Sequence, residues 1–458
     1  MKGSNNIMKK GIIIILALII GFVIIVSMGD DGSSSTTSYG QDDKNYTTSY
    51  LLSSNKTEDN LTSSSKEQSA VNSTKTQPVK MGIYTFKNKK DGQYLSFSKN
   101  SLTLESTPKK WELKLKSNNN FQIYGDKSTN LIDVDNAYIA SGTTIKMWQN
   151  TGYDTQLWKI AQNNNGTYSI LCASDESYCL EFKNGSAALG KRQSGNQGQE
   201  WIVTEQKNST YKTYISKSKI IELQISSNIT SVISDSRLTK WVNDLETAYN
   251  SYYELTNFKP YETIIIVAYK NCTEVGYAYV IDNSNIIHID KDLLVDDLKK
   301  MKARDNDWNF CALHEMGHMF DCNRAWNFEA EVLTDLKVAY VLEKNSAPAA
   351  PAEFDAATNF YGKNIINAYS TLGSDFSTTY DIYALAHRFL KIKNDIGWEP
   401  FKQTFHKLQS QNSNYATASK QQRFETFISL LSSFSGKNIQ SYFTQSEWKT
   451  IINKTNSQ

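Results

Sequence analysis

The chain divides into four stretches by its pattern of apolar and polar positions. Residues 11–28 form an uncharged apolar run, GIIIILALIIGFVIIVSM, directly after two lysines. Residues 30–79 hold few apolar positions and are dominated by Ser, Thr, Asn, Asp, Lys and Gln. Residues 80–205 alternate short β-type runs with Asn, Gly and Asp turns, which is typical of an all-β domain. From residue 212 to 458, apolar positions recur mostly at helical spacing, which predicts a mixed α/β, mostly helical domain.

The first two stretches predict a membrane anchor and a tether. A basic flank before an apolar run close to the ~20 residues that span a bilayer indicates that residues 1–29 are a cytoplasmic flank and a transmembrane signal anchor. A cleaved signal peptide, which would make the protein secreted, is the alternative. Residues 30–79 bury too little apolar surface to offset their ordering entropy, so we expect a disordered polar stalk. The rest of the chain would then lie at the cell surface, outside the membrane.

Three tryptophans mark an internal repeat in the all-β stretch. Trp111, Trp158 and Trp201 each stand near the end of a unit, and Gln156 and Gln199 precede the second and third by two positions. A repeat of this kind indicates a closed architecture of equivalent units. With QxW in two of three units, the region resembles the ricin-type β-trefoil lectins, a family in which the tryptophan packs in the shared core.

The resemblance implies one carbohydrate site, in the middle unit. Asp133, Trp148 and Gln156 match the lectin pattern position by position. They supply a carboxylate that grips sugar hydroxyls, a ring that stacks on the sugar, and an amide. Thr155 departs from the Asn that usually stands beside this Gln.

The other two units lack the full set. The third unit has Glu181 near the carboxylate position but Lys191 where the ring is expected, and the first unit has Ser96. We therefore expect at most one working sugar site. A trefoil that binds no sugar and is purely structural is the alternative.

The last stretch contains a motif for metal chemistry. Residues 314–318 read HEMGH, and on a helix His314 and His318 lie on one face, so both imidazoles can reach one ion. Zinc binds His nitrogens at roughly 2.0–2.1 Å, and a catalytic zinc site leaves one position open for water. Glu315 can act on that water as general base. The motif therefore predicts one Zn²⁺ per chain.

A pair of carboxylates follows on the next predicted helix. Glu331 and Asp335 stand four positions apart and so share a helical face. A carboxylate is a common third zinc ligand, and a further carboxylate commonly holds a ligand imidazole by its other nitrogen. We assign these two roles to Glu331 and Asp335. Glu329 is the rival third ligand, but Leu333, four positions after it, cannot orient a ligand.

These residues resemble a known peptidase family. Gly317 within HExGH, residues 326–328 (WNF), residues 331–336 (EVLTDL) and residues 397–401 (GWEPF) are similar to the enhancin-like gluzincins, metallopeptidase family M60. The resemblance implies zinc-dependent cleavage of glycoproteins, often mucins. It also implies secreted or surface enzymes that carry accessory sugar-binding modules.

Two further features of this domain bear on catalysis. Residues 276–281 and 285–290 read as two strands, and we expect one of them to pair with extended substrate through its backbone. Residues 380–390 predict a helix. It presents three candidate donors to the oxyanion of the reaction, with ordinary helix packing as the alternative: Tyr383, His387 and Tyr380.

Charge and cysteine content refine this picture. A net charge of +2 leaves no large basic field for nucleic acid. Cys172 and Cys179 are close enough in sequence to bridge a hairpin if the chain is exported.

Together these features predict a zinc endopeptidase of glycoproteins, at the cell surface or secreted, with a carbohydrate-binding module and with mucin-type glycoproteins and glycans as partners. Two alternatives stay open. One is a carbohydrate-binding adhesin with an inactive peptidase scaffold, and the other is a gluzincin that acts on non-glycosylated peptides.

Overall fold

The structure is a computed structural model, in which the first part is all-β and the second part mostly helical, as predicted. It describes residues 79–117, 119–206, 211–269, 278–280, 284–304, 306–321, 324–349 and 376–456. The predicted anchor and nearly all of the predicted stalk lie outside these residues. Within the described ranges no helix has both the length and the apolar character needed to cross a membrane.

The first part is a β-trefoil. Six strands close into a barrel through the antiparallel pairs β1–β4, β4–β5, β5–β8, β8–β9, β9–β12 and β12–β1. The other six form the hairpins β2–β3, β6–β7 and β10–β11. The twelve strands are β1 (Gly82–Asn88), β2 (Tyr94–Ser98), β3 (Ser101–Glu105), β4 (Trp111–Ser117), β5 (Asn120–Gly125), β6 (Asn130–Val134), β7 (Ile145–Gln149), β8 (Trp158–Gln162), β9 (Tyr168–Cys172), β10 (Tyr178–Lys183), β11 (Ser186–Lys191) and β12 (Trp201–Glu205).

The repeated tryptophans account for the three-fold arrangement. Trp111, Trp158 and Trp201 begin the barrel strands β4, β8 and β12, and all three are fully buried. Trp111 Nε1 donates to the Leu95 carbonyl and Trp158 Nε1 to the Ile132 carbonyl, each at 2.9 Å. In these two units, the tryptophan therefore ties its barrel strand to the hairpin of its own unit.

Cys172 and Cys179 do not form the bridge that their spacing suggested. Cys179 lies opposite Leu171 in the β9–β10 pair. Because neighbouring side chains on a strand point to opposite faces, Cys172 points away from Cys179. Both thiols are buried and unbridged, and burial raises the pKa of Cys179 to about 12.

The second part combines a five-stranded sheet with helices. In the described chain the strands are β13 (Tyr211–Ile215), β14 (Ile221–Ser226), β15 (Ile264–Tyr269), β16 (Ala278–Val280) and β17 (Ile286–Asp290). Their order is β13-β14-β15-β17-β16, and the inner pairs β14–β15 and β15–β17 are parallel. The helices are α1 (Asp235–Thr256), α2 (Lys291–Ala303), α3 (Phe310–Met319), α4 (Ala330–Asn345), α5 (Ile382–Ile396), α6 (Glu399–Ser410), α7 (Lys420–Ser435) and α8 (Gln445–Asn456).

The β-trefoil packs on one face of this sheet. Val267 and Tyr269 of β15 join the apolar core of the trefoil, whereas Ile266 and Ala268 join the core of the helices. The two-residue alternation of a strand thus sends its side chains into two different cores. This double burial explains why β15 is apolar along its whole length.

Hydrogen bonds also cross this interface. Tyr269 Oη donates to the Leu115 carbonyl at 3.2 Å, and His288 Nε2 lies 2.7 Å from the Lys116 carbonyl. Since a carbonyl only accepts, His288 Nε2 carries the proton. Burial lowers the pKa of His288 to about 4, so this imidazole is neutral at pH 7 and serves as a structural strand residue. The trefoil and the sheet therefore share both apolar and polar contacts.

The shared core predicts a large cost for truncating Tyr269. Tyr269→Ala should lower the free energy of unfolding by about 3–5 kcal/mol, because a buried ring is removed. Tyr269→Phe, which removes only the hydroxyl bonded to Leu115, should cost about 1 kcal/mol. Denaturant unfolding measures both. Tyr253→Ala is the control, because Tyr253 on α1 is 43% exposed; equal losses at the two positions would contradict the shared core.

Candidate metal centre and carbohydrate site

Helices α3 and α4 bring the three predicted metal ligands together. His314 and His318 lie on α3, and Glu331 lies in the first turn of α4. The two Nε2 atoms are 3.1 Å apart. Glu331 Oε2 lies 3.1 Å from His314 Nε2, and Glu331 Oε1 lies 3.5 Å from His318 Nε2. Ligands roughly 2.1 Å from a tetrahedral ion lie about 3.4 Å from one another. The three donor groups therefore form a triangle of about the size that zinc requires.

The outer ring nitrogens of both imidazoles are also held. His314 Nδ1 donates to Asp335 Oδ1 at 3.0 Å, and His318 Nδ1 lies 3.1 Å from Thr334 Oγ1. With Nδ1 bound to a partner, the Nε2 lone pair of each ring can face the centre. Thr334 is not among the residues predicted from the sequence, where its one signal is its position directly before Asp335.

The electrostatics of this triangle favour a cation at its centre. Burial by itself lowers the pKa of His314, but the hydrogen bonds to Asp335 and Glu331 outweigh it and raise the pKa well above its usual range. Burial likewise raises the pKa of Glu331, but the two imidazoles outweigh it and hold that pKa well below its usual range. The Glu331 side chain is 42% exposed, so the centre opens to solvent on that side. Two imidazoles and a carboxylate with one open side are a donor set of catalytic zinc sites.

Glu329, the rival third ligand, is engaged elsewhere. Its carboxylate accepts a hydrogen bond from Tyr380 Oη at 3.0 Å. Tyr380, one of the three candidate oxyanion donors, thus directs its proton to Glu329. Tyr383 and His387 lie on α5, which packs against α4, and burial lowers the pKa of His387. The oxyanion role of these residues stays a prediction.

Glu315 follows His314 on α3 and is partly buried. Burial raises the pKa of its carboxyl, an effect that the two neighbouring imidazoles only partly offset. A carboxylate whose pKa is raised toward neutrality is better matched to proton transfer at physiological pH. Glu315 therefore lies beside the two imidazoles with a carboxyl whose pKa is raised.

The absence of a side chain at Gly317 allows α3 and α4 to touch. A Cβ built on Gly317 would lie 2.9 Å from Thr334 Cγ2, closer than real Cβ atoms come to another atom. The two helices thus meet at the residue between the two imidazole positions. This contact explains the glycine within HExGH.

Buried polar contacts hold α3 along its length. They are Asn309 to Asp297 at its start (2.8 Å), Tyr252 to the Leu313 carbonyl in its middle (2.8 Å), and the fully buried Asp321–Lys337 ion pair just past its end. Asn309 also accepts from the Ala312 N–H at 2.8 Å and so caps the helix. The helix that carries both imidazoles is therefore fixed at both ends.

The middle trefoil unit brings together the predicted sugar-binding residues. The Asp133 carboxylate accepts from Gln156 Nε2 at 3.1 Å and from Thr155 Oγ1 at 3.3 Å. Trp148 lies opposite Leu131, two positions before Asp133, so the ring and the carboxylate share a face of the β6–β7 hairpin. Trp148 is 38% exposed. Thr155 thus still contacts Asp133, although it departs from the usual Asn.

The third unit repeats the carboxylate and the amide but has no ring. Glu181 accepts from Gln199 Nε2 at 3.2 Å. The strand register places Gly190 at the position that matches Trp148, and not Lys191 as the sequence suggested. A Cβ on Gly190 would lie 2.0 Å from Glu181 Oε2. The Glu181 side chain, which is longer than that of Asp133, therefore occupies the space where the second unit has the Trp148 ring.

The first unit lacks the carboxylate. Leu95 matches Ile132, because each carbonyl accepts from the tryptophan of its unit. Ser96 therefore stands where Asp133 stands in the second unit, and its hydroxyl is buried. One unit of three thus combines carboxylate, amide and exposed ring.

Gly317→Ala tests the helix contact. The new methyl group should push α3 and α4 apart, lower the free energy of unfolding by about 1–3 kcal/mol and weaken zinc retention in a chelator titration. Thr334→Ser in the same background should restore both, since it removes Cγ2 and keeps the hydroxyl beside His318. A double variant as poor as the single variant would contradict the contact.

The carboxylate of Asp133 predicts the pH dependence of sugar binding. The ionised form would accept hydrogen bonds from sugar hydroxyls, and burial raises the pKa of this group. Binding should therefore be lost as pH falls through this raised pKa, at a higher pH than for an ordinary aspartate. Calorimetric titration with sugar across pH 3–7 measures it, and Asp133→Asn should bind weakly with no such transition. A wild-type profile that is flat over this range would refute the role.

Comparison with known proteins gives matches for both parts of the chain. Residues 107–192 match the ricin-type beta-trefoil lectin domain-like family, and residues 298–449 match the family Peptidase M60, enhancin and enhancin-like. Comparison with curated protein sequences gives no match.

Several solved structures are similar over about a quarter of the chain. The designed three-fold symmetric protein ThreeFoil is 19% identical, with 27% of this chain and 99% of that chain covered and a TM-score of 0.25. A Culex quinquefasciatus salivary protein is 18% identical, with 28% and 96% covered and a TM-score of 0.24. An endo-β-galactosidase from Clostridium perfringens is 10% identical, with 28% and 33% covered and a TM-score of 0.25. Similarities this low say nothing about function.

The two family matches agree with the β-trefoil and with the helices that hold the HExxH motif. Together they support a peptidase that is directed to carbohydrate. The chain therefore carries a peptidase M60, enhancin-like domain behind a ricin-type β-trefoil lectin-like domain.

Proposed function

We propose that this protein is a zinc-dependent endopeptidase that hydrolyses peptide bonds of mucin-type glycoproteins. The observation that carries the proposal is the convergence of His314, His318 and Glu331 on one point, with Glu315 beside them, in a domain that matches the M60 peptidases. The trefoil would direct the enzyme to glycans through Asp133, Trp148 and Gln156. The N-terminal segment would hold it at the cell surface, or release it if cleaved.

The mechanism assigns each residue a separate task. His314, His318 and Glu331 would hold zinc, which would supply Lewis acidity and lower the pKa of a water molecule toward about 7. Glu315 takes a proton from the attacking water and passes it to the leaving nitrogen. Asp335 and Thr334 keep the imidazoles oriented, with Nε2 toward the centre.

Strand β16 is the better candidate for pairing with substrate. The sequence predicts two candidate strands for this role, but β17 pairs on both sides, with β15 and β16. β16 is the outer strand of the described sheet and packs against α3. Backbone hydrogen bonds to an extended peptide would supply affinity there without demanding particular side chains.

Contacts from the trefoil reach this strand. Tyr279 of β16 stacks on His288 of β17, with ring centroids 4.8 Å apart and an interplanar angle of 18°. His288 in turn donates to the Lys116 carbonyl of the trefoil. The trefoil would therefore help to hold the strand that aligns the substrate.

Cleavage of a glycoprotein with and without its glycans tests the proposal. Residues 79–458 would be incubated with a mucin-type glycoprotein and with the same protein stripped of glycans, each with and without chelator. Chelator-sensitive cleavage of only the glycosylated form is expected. Equal cleavage of both forms would leave a gluzincin acting on plain peptide, and zinc binding without cleavage of either form would favour the adhesin.

Glu315→Gln separates proton transfer from metal binding. The variant should keep its zinc content and its unfolding midpoint, while kcat/KM falls by about 10²–10⁴-fold, the usual contribution of a general base. Glu329→Gln is the matched control. This nearby carboxylate accepts from Tyr380, the Gln amide oxygen can accept the same hydrogen bond, and the activity of the variant should stay close to that of the wild type. Loss of zinc from Glu315→Gln would mean that Glu315 is a ligand.

A further inference from the structure

We propose that the sugar site of the second trefoil unit extends over Tyr138 and Tyr153 and binds an oligosaccharide chain, not a single sugar residue. The inference rests on the carbohydrate-binding part of the proposed function and is independent of peptidase activity.

The three trefoil hairpins differ in the length of their connections. Residues 99–100 join β2 to β3 and residues 184–185 join β10 to β11, two residues in each case. Residues 135–144 join β6 to β7, a connection of ten residues. A two-residue turn is enough to close a hairpin, so the fold does not require the longer connection. It occurs in the unit that combines carboxylate, amide and exposed ring.

Exposed aromatic rings concentrate in the same unit. Tyr138 lies in the long connection and is 67% exposed, Tyr153 lies between β7 and β8 and is 65% exposed, and Trp148 is 38% exposed. Among the described residues of the other two units, no aromatic side chain is exposed to this degree. These rings leave apolar surface in contact with water. Such rings are suited to stacking on the apolar faces of sugars.

The backbone around Tyr138 is held in place. The Tyr138 N–H donates to the Asp135 carbonyl at 3.2 Å. Further along the connection, Gly142 N–H donates to the Leu189 carbonyl and Leu189 N–H to the Thr143 carbonyl, both at 2.8 Å. The exposed ring therefore stands on a segment that is anchored to the third unit.

Tyr153 is tied directly to the sugar site. Its carbonyl accepts from the Gln156 N–H at 3.0 Å, and the Thr151 N–H donates to Gln156 Oε1 at 2.9 Å. The same Gln156 donates to Asp133. Because both tyrosines stand on anchored backbone, little loop entropy is lost when a ligand binds.

Lys146 links Trp148 to the connection that carries Tyr138. Its Nζ lies 4.2 Å from the centroid of the Trp148 ring and forms an ion pair with Asp135, the first residue of that connection. Lys146 therefore holds one face of the indole in place beside the connection. The anchored segments leave from the Asp133 strand on one side and from the Gln156 turn on the other. The two exposed tyrosines therefore stand on the two segments that adjoin the carboxylate and the amide, and a chain longer than one sugar could contact them.

The third unit provides an internal comparison. Asn196 precedes Gln199 by three positions, as Tyr153 precedes Gln156. The Asn196 side chain turns inward and donates to Glu181 at 3.1 Å. This position serves the structure of the third unit, whereas in the second unit it presents a ring to solvent.

The test compares a single sugar with a chain. Calorimetry on residues 79–458 would use N-acetylgalactosamine and galactose as single sugars and oligosaccharides released from mucin as chains. In the double variant Tyr138→Ala/Tyr153→Ala, the association constant for the oligosaccharides should fall by about tenfold or more, roughly threefold for each ring. Single-sugar binding should change by less than about twofold, and Tyr253→Ala should change neither.

Other outcomes separate this inference from the proposed function. Oligosaccharide binding that is lost in Asp133→Asn but unchanged in the double variant would overturn the extended site and keep the lectin. A double variant that loses single-sugar and oligosaccharide binding equally would also overturn it. Failure of the wild-type chain to bind any of these sugars would overturn both the extended site and the carbohydrate part of the proposed function. Chelator-sensitive cleavage of peptide is measured separately for each variant, so the peptidase part of the proposed function is tested independently of sugar binding.

Discussion

The candidate metal centre depends on how closely helices α3 and α4 approach each other. Gly317 offers no side chain at the crossing, so Thr334 of α4 comes into contact with the backbone of α3. At this separation a single stretch of α4 supplies both kinds of group. Glu331 reaches the inner nitrogens of the two imidazoles, and four positions later Asp335 reaches an outer one. If the two helices were farther apart, the imidazoles would lose their contacts with Glu331 and with Asp335 at the same time.

Such a crossing has to be rigid, because three electron-pair donors face one another at close range. The contacts around the centre are buried polar contacts, which resist a change in the position of the helices. The Asp321–Lys337 pair joins the same two helices and is fully buried, and removing either partner of such a pair leaves a buried charge uncompensated. The tie between Asn309 and Asp297 fixes the other end of α3 to α2. The geometry of the centre is thus set by polar contacts that lie outside it.

Local spacing is what the sequence could predict. The imidazoles four positions apart, the carboxylates four positions apart and the recurring tryptophans all follow from the period of one helix or one repeat. The features that were missed or wrong depend on how separate segments meet. Thr334 touches His318 because of a helix crossing, and Gly190 rather than Lys191 matches the ring position because of a strand register. Cys172 and Cys179 fail to bridge because their strands turn them to opposite faces.

The packing of the β-trefoil on the sheet also fixes how a substrate can be presented. A module on a flexible linker raises the local concentration of whatever it holds over a range of distances and directions. Here Val267 and Tyr269 are buried in the trefoil core, and β15 belongs to the same sheet as β16. A glycan and a peptide segment held by one molecule at the same time would therefore be separated by one set distance. The trefoil would then set the distance between the bound glycan and the bond that is cleaved, and the cleavage sites would follow the positions of the glycans along the substrate.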